Sequence, residues 1–413
     1  MLFNVREMIM KLSVAYTFEP GLIEKLSEIP EVHEIYGKLN SDIFGGGRSS
    51  YTLRQVSRGK LEKAIRTAHA CKIRFNYLIN GATLGGLEQT RQGQRRIRKF
   101  LEYLDKSEID AVTVASPYLL RLVKKKHPRL KVRAGVFAVI DSPLKAKQWE
   151  DMGADTLCLS SIACNRDFEK LERIRKTVSC GLQLIVNANC LSACAYELTH
   201  MDLLTRSSRK HDTLKGFCLD YCILHCSSER LRNPVNYIRS IWIRPEDLYV
   251  YESMGYTNFK IIERSCPGDL LLKRVKAYSM RKFDGNLLEI AGQVAQVKKE
   301  QNVPGSQYLR MIKTFFRPDL AKLSTMLALK KYGESIIIHR YGRENAPVYI
   351  DNRSLDGFLE SIREKGCDMV SCNGCGRCDI WAEKAVFIDK VYRTQVLGMA
   401  ETLERGLCTG ELW

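Results

Sequence analysis

Short apolar runs alternate with amphipathic segments along most of this chain. LSVAY (12–16), IRFNYLIN (73–80), AVTVASP (111–117) and QLIVNAN (183–189) are rich in β-branched and aromatic residues and have the length of buried strands. Segments between them, such as RRIRKFLEYLDKSEI (95–109), place apolar residues at the spacing of a helix that packs on a core. This alternation predicts a parallel α/β fold, because parallel strands need helical crossovers between them.

The number of strand-like runs narrows the architecture. Further candidates are EIYGKL (34–39), VRAGVFAVI (132–140), the end of KAKQWEDMGADTLCLS (145–160), RSIWIRPEDL (239–248) and NFKIIER (258–264). About eight strand–helix units over about 280 residues favour a (β/α)8 TIM-like barrel over an open doubly wound sheet. There is no GxGxxG after the first strand and no GxxxxGK[ST] motif, so nothing in the sequence indicates a nucleotide-binding sheet.

The chain divides into three predicted regions. Residues 1–290 form the barrel and include a cysteine-rich segment at 187–230. Residues 291–360 form a helical connector, in which IIIHRYG and APVYID (336–351) are expected to pair as a β-hairpin. Residues 361–413 form a cysteine-rich α/β extension.

Composition and charge point to an intracellular protein with anionic partners. The net charge is +18, and no apolar stretch approaches the roughly 18 residues that a membrane helix needs. Charges interrupt the apolar amino terminus, so we expect a cytoplasmic protein that does not contact membranes and whose thiols are reduced. Basic clusters at 91–99, 124–133, 206–210 and 273–282 favour phosphate-bearing partners such as RNA. The alternative is a basic surface that aids solubility or suits anionic metabolites.

The first group of cysteines follows the strand-like run QLIVNAN. The group consists of Cys190, Cys194, Cys218, Cys222 and Cys226. A cluster at the end of a strand places thiols at the mouth of an α/β barrel, where sites are usually built. Core packing is the alternative for a single CxxxC, but five cysteines in one window favour a metal. Because the CxxC knuckles that zinc prefers are absent, we predict an iron–sulfur cluster here.

The second group lies near the carboxyl terminus and has tighter spacing. It contains Cys367 and the run Cys372-x2-Cys375-x2-Cys378, with Cys408 as a remote further ligand. Glycines between the cysteines let the backbone curl so that its amides point at sulfur, as in ferredoxin-like loops. We predict a second thiolate-bound centre, with zinc as the alternative to an iron–sulfur cluster.

The segments IYGKLNSDIFGGGRSSYTLRQ (35–55) and RPEDLYVYESMGYTNFKIIER (244–264) carry a resemblance to peptidase family U-32, the collagenase-like peptidases, which spans roughly residues 12–290. The stretch containing IYGKLNSDIFGGGRSSYTLRQ (35–55) is similar to the family's "YFG…FSAR" segment. RPEDLYVYESMGYTNFKIIER (244–264) is similar to a "KDL" helix followed by a "KIEGR"-type strand, for which Lys260, Glu263 and Arg264 stand in. KIIER differs from the family's glycine-containing version, and the C-terminal CxxCxxC is not part of the family core.

The resemblance implies a cofactor and a substrate class. Family members are understood to bind a [4Fe-4S] cluster through cysteines after the seventh strand, where Cys190 and the Cys218-x3-Cys222 pair fall. Cys194, Cys226 or Cys266 would complete the set. The better-understood members resemble oxygen-independent hydroxylation proteins of ubiquinone synthesis or of transfer and ribosomal RNA. Arg48 and Arg54, near the glycine turn, are the candidates for binding an anionic substrate. Glu263 and Arg264, at the end of the last strand, are candidates for the same pocket.

Three hypotheses follow from these residues. The first is an iron–sulfur enzyme, with one cluster or two, that hydroxylates or otherwise modifies RNA or an anionic or aromatic metabolite without O2. The second is a non-catalytic iron–sulfur subunit that delivers electrons or substrate to a partner protein. The third is a metallopeptidase, although the chain contains neither HExxH nor GxSxG, and its histidines show no metal spacing. Glu263 and Arg264 could alternatively form a structural ion pair at the barrel rim.

Overall fold

Eight parallel strands form a closed barrel in chain order, which confirms the predicted (β/α)8 architecture. The computed structural model describes residues 10–213, 220–292, 322–336, 346–367 and 372–412. The last strand pairs with the first, with Lys260 opposite Ser13. The barrel strands are β1 (Lys11–Ala15), β2 (Val32–Gly37), β3 (Arg74–Ile79), β4 (Ala111–Val114), β5 (Lys131–Ala134), β6 (Thr156–Cys158), β7 (Gly181–Ile185) and β8 (Asn258–Ile261).

Helices connect the strands and cover the outside of the barrel. They are α1 (Leu22–Ser27), α2 (Arg58–Ala70), α3 (Arg91–Lys106), α4 (Pro117–Lys126), α5 (Pro143–Asp151), α6 (Ser161–Cys164), α7 (Phe168–Thr177), α8 (Glu197–Ser208), α9 (Tyr221–Arg232), α10 (Val235–Arg239), α11 (Leu248–Glu252), α12 (Gly268–Ser279) and α13 (Leu287–Ala291). None of the helices in the described part of the chain is both long and apolar enough to cross a membrane.

The α3 helix shows how the sequence produces these elements. The Thr90 hydroxyl accepts a hydrogen bond from the Gly93 N–H at 3.0 Å and so caps the helix start. Ile97, Leu101 and Leu104 then recur at helical spacing and are fully buried against the barrel. Burying each such side chain contributes about 1.5–3 kcal/mol, so the apolar face rather than intrinsic propensity holds the helix in place.

The barrel interior differs in chemistry from the shell between strands and helices. The shell is the main apolar core, whereas the interior carries a polar layer around Glu34. Glu34 accepts hydrogen bonds from Ser13 at 2.7 Å and Asn76 at 3.2 Å, and it forms an ion pair with Arg133. The carboxylate is therefore fully engaged in holding neighbouring strands together. Two small apolar groups are separate from the main core: Ala15, Tyr36 and Leu78 in one, and Cys158, Ile185, Ala188 and Ile241 in the other.

The predicted strand at 239–248 is wrong. After α10 the chain runs through an irregular segment into a single 3-10 turn, Pro245–Asp247, and then into α11. Ile241 and Ile243 are buried and donate backbone hydrogen bonds to the carbonyls of Cys190 and Val186, at 3.2 and 2.8 Å. The apolar run thus reflects burial beside the end of β7. Pro245 has no N–H to donate and favours the turn that ends the extended stretch.

The C-terminal extension packs back onto the barrel. Its elements are α14 (Leu323–Ile336), β9 (Val348–Ile350), α15 (Phe358–Lys365), α16 (Cys372–Cys375), α17 (Arg377–Ala385), β10 (Val386–Ile388) and α18 (Lys390–Thr409). The β9 strand pairs antiparallel with β10. The hairpin predicted for 336–351 stays a prediction, because residues 337–345 lie outside the described residues. Arg244, almost fully buried, joins the two parts through Asp247 at 2.7 Å and Asp356 at 2.9 Å.

Candidate active site at the barrel mouth

A glycine-rich turn after β2 lies across the C-terminal end of the barrel, where TIM barrels carry their sites. Gly45 has a φ of 69°, and a Cβ at this position would lie 2.1 Å from the carbonyl oxygen of Thr205. The turn therefore packs directly on α8. Asp42 accepts a hydrogen bond from the Gly45 N–H at 2.9 Å, and the Ser208 hydroxyl accepts one from the following amide at 2.8 Å. These amides hold the turn together rather than point at a ligand.

Arg48 and Glu263, predicted as neighbours from sequence, form an ion pair at the barrel rim. Arg48 Nε donates to Glu263 Oε1 at 3.0 Å, and a second guanidinium nitrogen contacts the other carboxylate oxygen. Burial raises the pKa of Glu263, but Arg48 and the Ser265 hydroxyl lower it more, so the net shift is downward. Glu263 has a φ of 107° and stands where a KIEGR-type segment has glycine.

Arg54 does not join this group. Its guanidinium forms an ion pair with Glu19 at 3.1 Å, and both side chains are partly exposed. Glu19 also accepts a hydrogen bond from the Gly268 N–H at 3.2 Å, so the pair connects the loop after β1 to the start of α12. The structure thus brings Arg48, Glu263 and Arg264 together and gives Arg54 contacts of a structural kind.

Two further cations, Arg264 and Lys260, lie near Tyr36. Burial lowers the pKa of Arg264 to about 10, and its guanidinium donates to the Gly46 carbonyl at 3.4 Å. The Lys260 ammonium lies 4.2 Å from the centroid of the Tyr36 ring, and burial also lowers the pKa of Lys260. The Tyr36 hydroxyl donates to the Ile261 carbonyl at 3.0 Å, which fixes the ring between β2 and β8.

A buried ion pair that the sequence pattern did not predict lies beside these residues. Lys38 Nζ lies 3.0 Å from Asp42 Oδ1 and donates to the Gly45 carbonyl at 2.6 Å. The Tyr77 hydroxyl donates to the second Asp42 oxygen at 2.8 Å. One sequence signal could have found Lys38: polar or amphipathic residues stand at alternate positions of β2, and such alternation marks the face that points into a barrel.

The first cysteine group forms one cluster next to the mouth. Cys190 follows β7, while Cys222 and Cys226 lie on α9; Cys218 lies outside the described residues. Burial, together with the neighbouring thiols of Cys226 and Cys194, raises the pKa of Cys190 to about 12. Burial, followed by Asp220 and the same two thiols, also raises the pKa of Cys222 to about 12. Cys194 and Cys226 thus affect both Cys190 and Cys222, which indicates that these side chains lie near one another.

This cluster has the donors for an iron–sulfur centre. Among the described residues, no three His, Cys, Asp or Glu side chains are arranged to hold a metal ion. The donor chemistry nevertheless fits, because buried neutral thiols lose their protons when a metal binds. Arg230 lies 3.7 Å from the Cys226 sulfur, and Arg48 lies close enough to Cys190 to lower its pKa, so positive charge is at hand to offset thiolates. Cys266 lies elsewhere, in the main apolar core.

The second cysteine group lines a cleft of about 650 Å³ between α7 and the C-terminal extension. Burial raises the pKa of Cys378, and the nearby Cys367 and Cys372 thiols act in the same direction. Cys375 is exposed, and its sulfur accepts a hydrogen bond from Arg377 at 2.9 Å. The four cysteines therefore face one cleft, although residues 368–371 lie outside the described part. Cys408 is exposed on α18.

One buried segment connects the two cysteine groups. The Arg239 carbonyl accepts a hydrogen bond from Ser192 at 2.7 Å, and the Ile241 N–H donates to the Cys190 carbonyl at 3.2 Å. The Arg239 side chain extends the other way and donates to the Cys372 carbonyl at 3.4 Å and to Asp379 at 3.2 Å. The spacing of the two groups along the chain gave no sign of this connection.

The histidines of the described residues have other roles. His200 pairs with Asp220 at 3.1 Å, and His225 stacks on Tyr196 with ring centroids 4.4 Å apart. Within the described ranges, no hydrogen bond joins a serine or cysteine side chain to a histidine ring. The geometry offers no observation in favour of a nucleophile–histidine pair.

These features define a TIM-barrel protein whose candidate site combines a thiol cluster with buried cations. Residues 41–284, more than half of the chain, match the model of peptidase family U32, and the chain belongs to that family. It is 28% identical over 381 residues to the uncharacterized protease MJ1657 of Methanocaldococcus jannaschii, which covers 89% of this chain and 97% of that protein. The solved U32 peptidase Mk0906 covers 62% of this chain and 94% of its own, with 20% identity and a TM-score of 0.45.

Proposed function

We propose that this U32 protein is an iron–sulfur-dependent enzyme that modifies RNA or an aromatic metabolite by oxygen-independent hydroxylation. The observation that carries the proposal is the position of Cys190, which follows β7, beside α9, which carries Cys222 and Cys226. Arg230 on α9 lies 3.7 Å from the Cys226 sulfur and donates to the Asn189 carbonyl, next to Cys190. Nearby positive charge favours the thiolate form in which cysteine binds an iron–sulfur cluster.

The residues around the cluster have separable roles in this proposal. The four cysteines would hold a [4Fe-4S] cluster, which supplies electron transfer or Lewis acidity when bound. Arg230 and Arg48 offset the negative charge of the thiolates. Arg48 is itself held in place by Glu263, so the cation cannot move away when the mouth is empty. The mouth beside them binds the substrate.

The second cysteine group supports a redox function and also an alternative to it. Cys367, Cys372, Cys375 and Cys378 line a cleft whose rim includes the exposed Cys375, so a bound centre could exchange electrons with a partner protein. A zinc site would instead fasten the extension to the barrel. In the alternative function, the chain is an accessory electron-transfer subunit, and the exposed cleft is the observation that favours it.

Metal analysis of the anaerobically purified protein tests the proposal. Iron, sulfide and zinc would be measured with Mössbauer spectra for the wild type, a Cys194→Ser/Cys222→Ser variant and a Cys372→Ser/Cys375→Ser variant. Cys71→Ser, at the end of α2, is the matched control. About eight iron and eight sulfide per chain, halved in each double variant, would support two [4Fe-4S] centres.

Other results separate the alternatives. About four irons that survive loss of the C-terminal cysteines would support a single barrel cluster with a zinc or docking element behind it. Zinc without sulfide would contradict the hydroxylase proposal and favour a metallopeptidase or structural zinc.

A second experiment tests for the activity itself. RNA from cells with and without the gene would be digested to nucleosides, and mass spectrometry would look for the added mass of one oxygen atom.

A further inference from the structure

The barrel interior and mouth contain more buried positive than negative charge. The cations are Lys38, Arg48, Arg133, Lys260 and Arg264, and the carboxylates are Glu34, Asp42 and Glu263. Each carboxylate is taken by one cation: Arg133 pairs with Glu34, Lys38 with Asp42 and Arg48 with Glu263. Among the described residues, Lys260 and Arg264 are left without a carboxylate, so this set of side chains carries an excess of two positive charges.

Lys260 is buried without a counter-charge. Only 7% of the residue is exposed, and the contact of its ammonium is the face of the Tyr36 ring. The nearest carboxylate that affects it, Glu34, already binds Arg133, Ser13 and Asn76. Among the described residues, none accepts a hydrogen bond from the Lys260 ammonium or forms an ion pair with it.

Arg264 is in a similar condition, because none of the described carboxylates forms an ion pair with it. It is also 7% exposed, and its described hydrogen bond is the long 3.4 Å contact to the Gly46 carbonyl. Glu263, next to it in the chain, is committed to Arg48. A Cβ on Gly47 would lie 3.1 Å from the guanidinium, so the absence of a side chain there leaves the cation room to face the mouth. The adjacent Asn80 has a buried side-chain oxygen without a partner.

Burying these two cations without a counter-charge costs folding free energy, so their presence calls for an explanation. A buried charge without a partner is costly, and Lys38, Arg48 and Arg133 each pair with a carboxylate. Arg166 and Arg274, buried elsewhere with no described carboxylate partner, donate hydrogen bonds to backbone carbonyls instead. Two cations without a carboxylate partner among the described residues, at the open end of a barrel, match a site that binds an anion. A carboxylate or phosphate would supply the missing negative charge.

We propose that Lys260 and Arg264 form a subsite that binds a carboxylate or phosphate group of the substrate. This inference deepens the proposed function, on which it rests for the identity of the mouth as the substrate site, by naming the chemical class bound there. It also revises the residues involved: Arg264 and Lys260 contact the anion, while Arg48 is engaged by Glu263 and Arg54 by Glu19.

Calorimetric titration of the full-length protein tests the subsite. The probes are inorganic phosphate, phthalate as an aromatic dicarboxylate, and dimethyl phthalate as the uncharged control. We expect at least one of the two anions to bind, dimethyl phthalate not to bind, and Lys260→Met and Arg264→Met each to weaken binding about ten-fold or more. Arg129→Met and Lys131→Met are matched controls, since these cations lie partly exposed at the opposite end of the barrel. Tighter binding of phosphate points to a phosphorylated substrate, and tighter binding of phthalate to a carboxylic acid.

Thermal melting shows whether the Met variants are folded, and chemical labelling shows whether the anion covers Lys260. Because a buried unpaired cation destabilises the fold, both Met variants should melt at or above the wild-type temperature. In the wild type, the bound anion should slow carbamoylation of Lys260 by cyanate, measured by peptide mass spectrometry, and leave Lys131 unaffected. The proposal is overturned if neither anion binds, if both Met variants bind as the wild type does, or if the anion leaves Lys260 labelling unchanged.

The same preparations separate this inference from the proposed function. Iron content is measured on each sample, and the titrations do not require a cluster. Anion binding without iron would retain the subsite and contradict the iron–sulfur proposal. A full complement of iron and sulfide without anion binding would do the reverse.

Discussion

Glu263 combines a strained backbone with a carboxylate that another residue needs. Its φ of 107° lies in a region that side chains with a Cβ rarely adopt, and such a conformation costs about 1–3 kcal/mol. The side chain accepts hydrogen bonds from Arg48 at 3.0 Å and from the Ser265 N–H at 3.3 Å. We therefore predict that Glu263→Gly is more stable than Glu263→Ala, the reverse of the usual order.

The expected change in the free energy of unfolding combines the loss of the Arg48–Glu263 ion pair with the change in backbone strain. Both variants leave Arg48 without its carboxylate, and breaking a buried pair costs about 3–5 kcal/mol. The Arg48 side chain is 18% exposed, so the lower end, about 3 kcal/mol, applies. Glycine relieves the backbone strain of about 1–3 kcal/mol but adds about 0.5–1 kcal/mol of unfolded-state flexibility. The glycine variant should therefore exceed the alanine variant by about 1–2 kcal/mol in free energy of unfolding.

Equilibrium urea unfolding, followed by far-UV circular dichroism, measures these differences as shifts of the midpoint at constant slope. Adding Arg48→Met to Glu263→Gly removes the unpaired cation and should recover most of the lost stability, whereas Arg48→Met alone should destabilise by about 3–5 kcal/mol. If the alanine variant equals or exceeds the glycine variant, the strain argument is wrong. If the double variant is no more stable than Glu263→Gly, the ion pair does not account for the loss.

Two further predictions concern other parts of the barrel. Burial lowers the pKa of His33 from 6.5 to about 4, so the unfolded chain takes up the proton first and stability falls as pH drops from 6.5 towards 4. We expect the wild type to lose about 2 kcal/mol more than His33→Gln between pH 7 and pH 5 in urea unfolding, and equal losses would contradict this assignment. Gly45→Ala should cost about 3 kcal/mol, because its Cβ would lie 2.1 Å from the Thr205 carbonyl at a positive φ. Gly59→Ala in α2, with open space around it, should be neutral or slightly stabilising in the same assay, and a similar loss in both variants would refute the steric argument.

The parts of the fold that the sequence predicted are those set by local pattern. All eight barrel strands coincide with apolar runs, because each strand buries its outer face under a helix and so leaves a continuous signal. The same reasoning produced the error at 239–248, where Ile241 and Ile243 are buried without being in a strand. Periodicity records burial, and a short buried segment looks the same whether or not it joins a sheet.

The sequence by itself determined the barrel and contained the two cysteine groups. Which charges are neutralised was decided only by the tertiary structure. Arg48 finds Glu263 across 215 positions, and Arg54 finds Glu19, so residues that look equivalent in sequence differ in what they can bind. The strand pattern around Lys260 did not predict its surroundings, because only barrel closure places it over Tyr36, where none of the described carboxylates pairs with it. Pairing depends on distances between strands that are far apart in the chain, and those distances exist only once the barrel has closed.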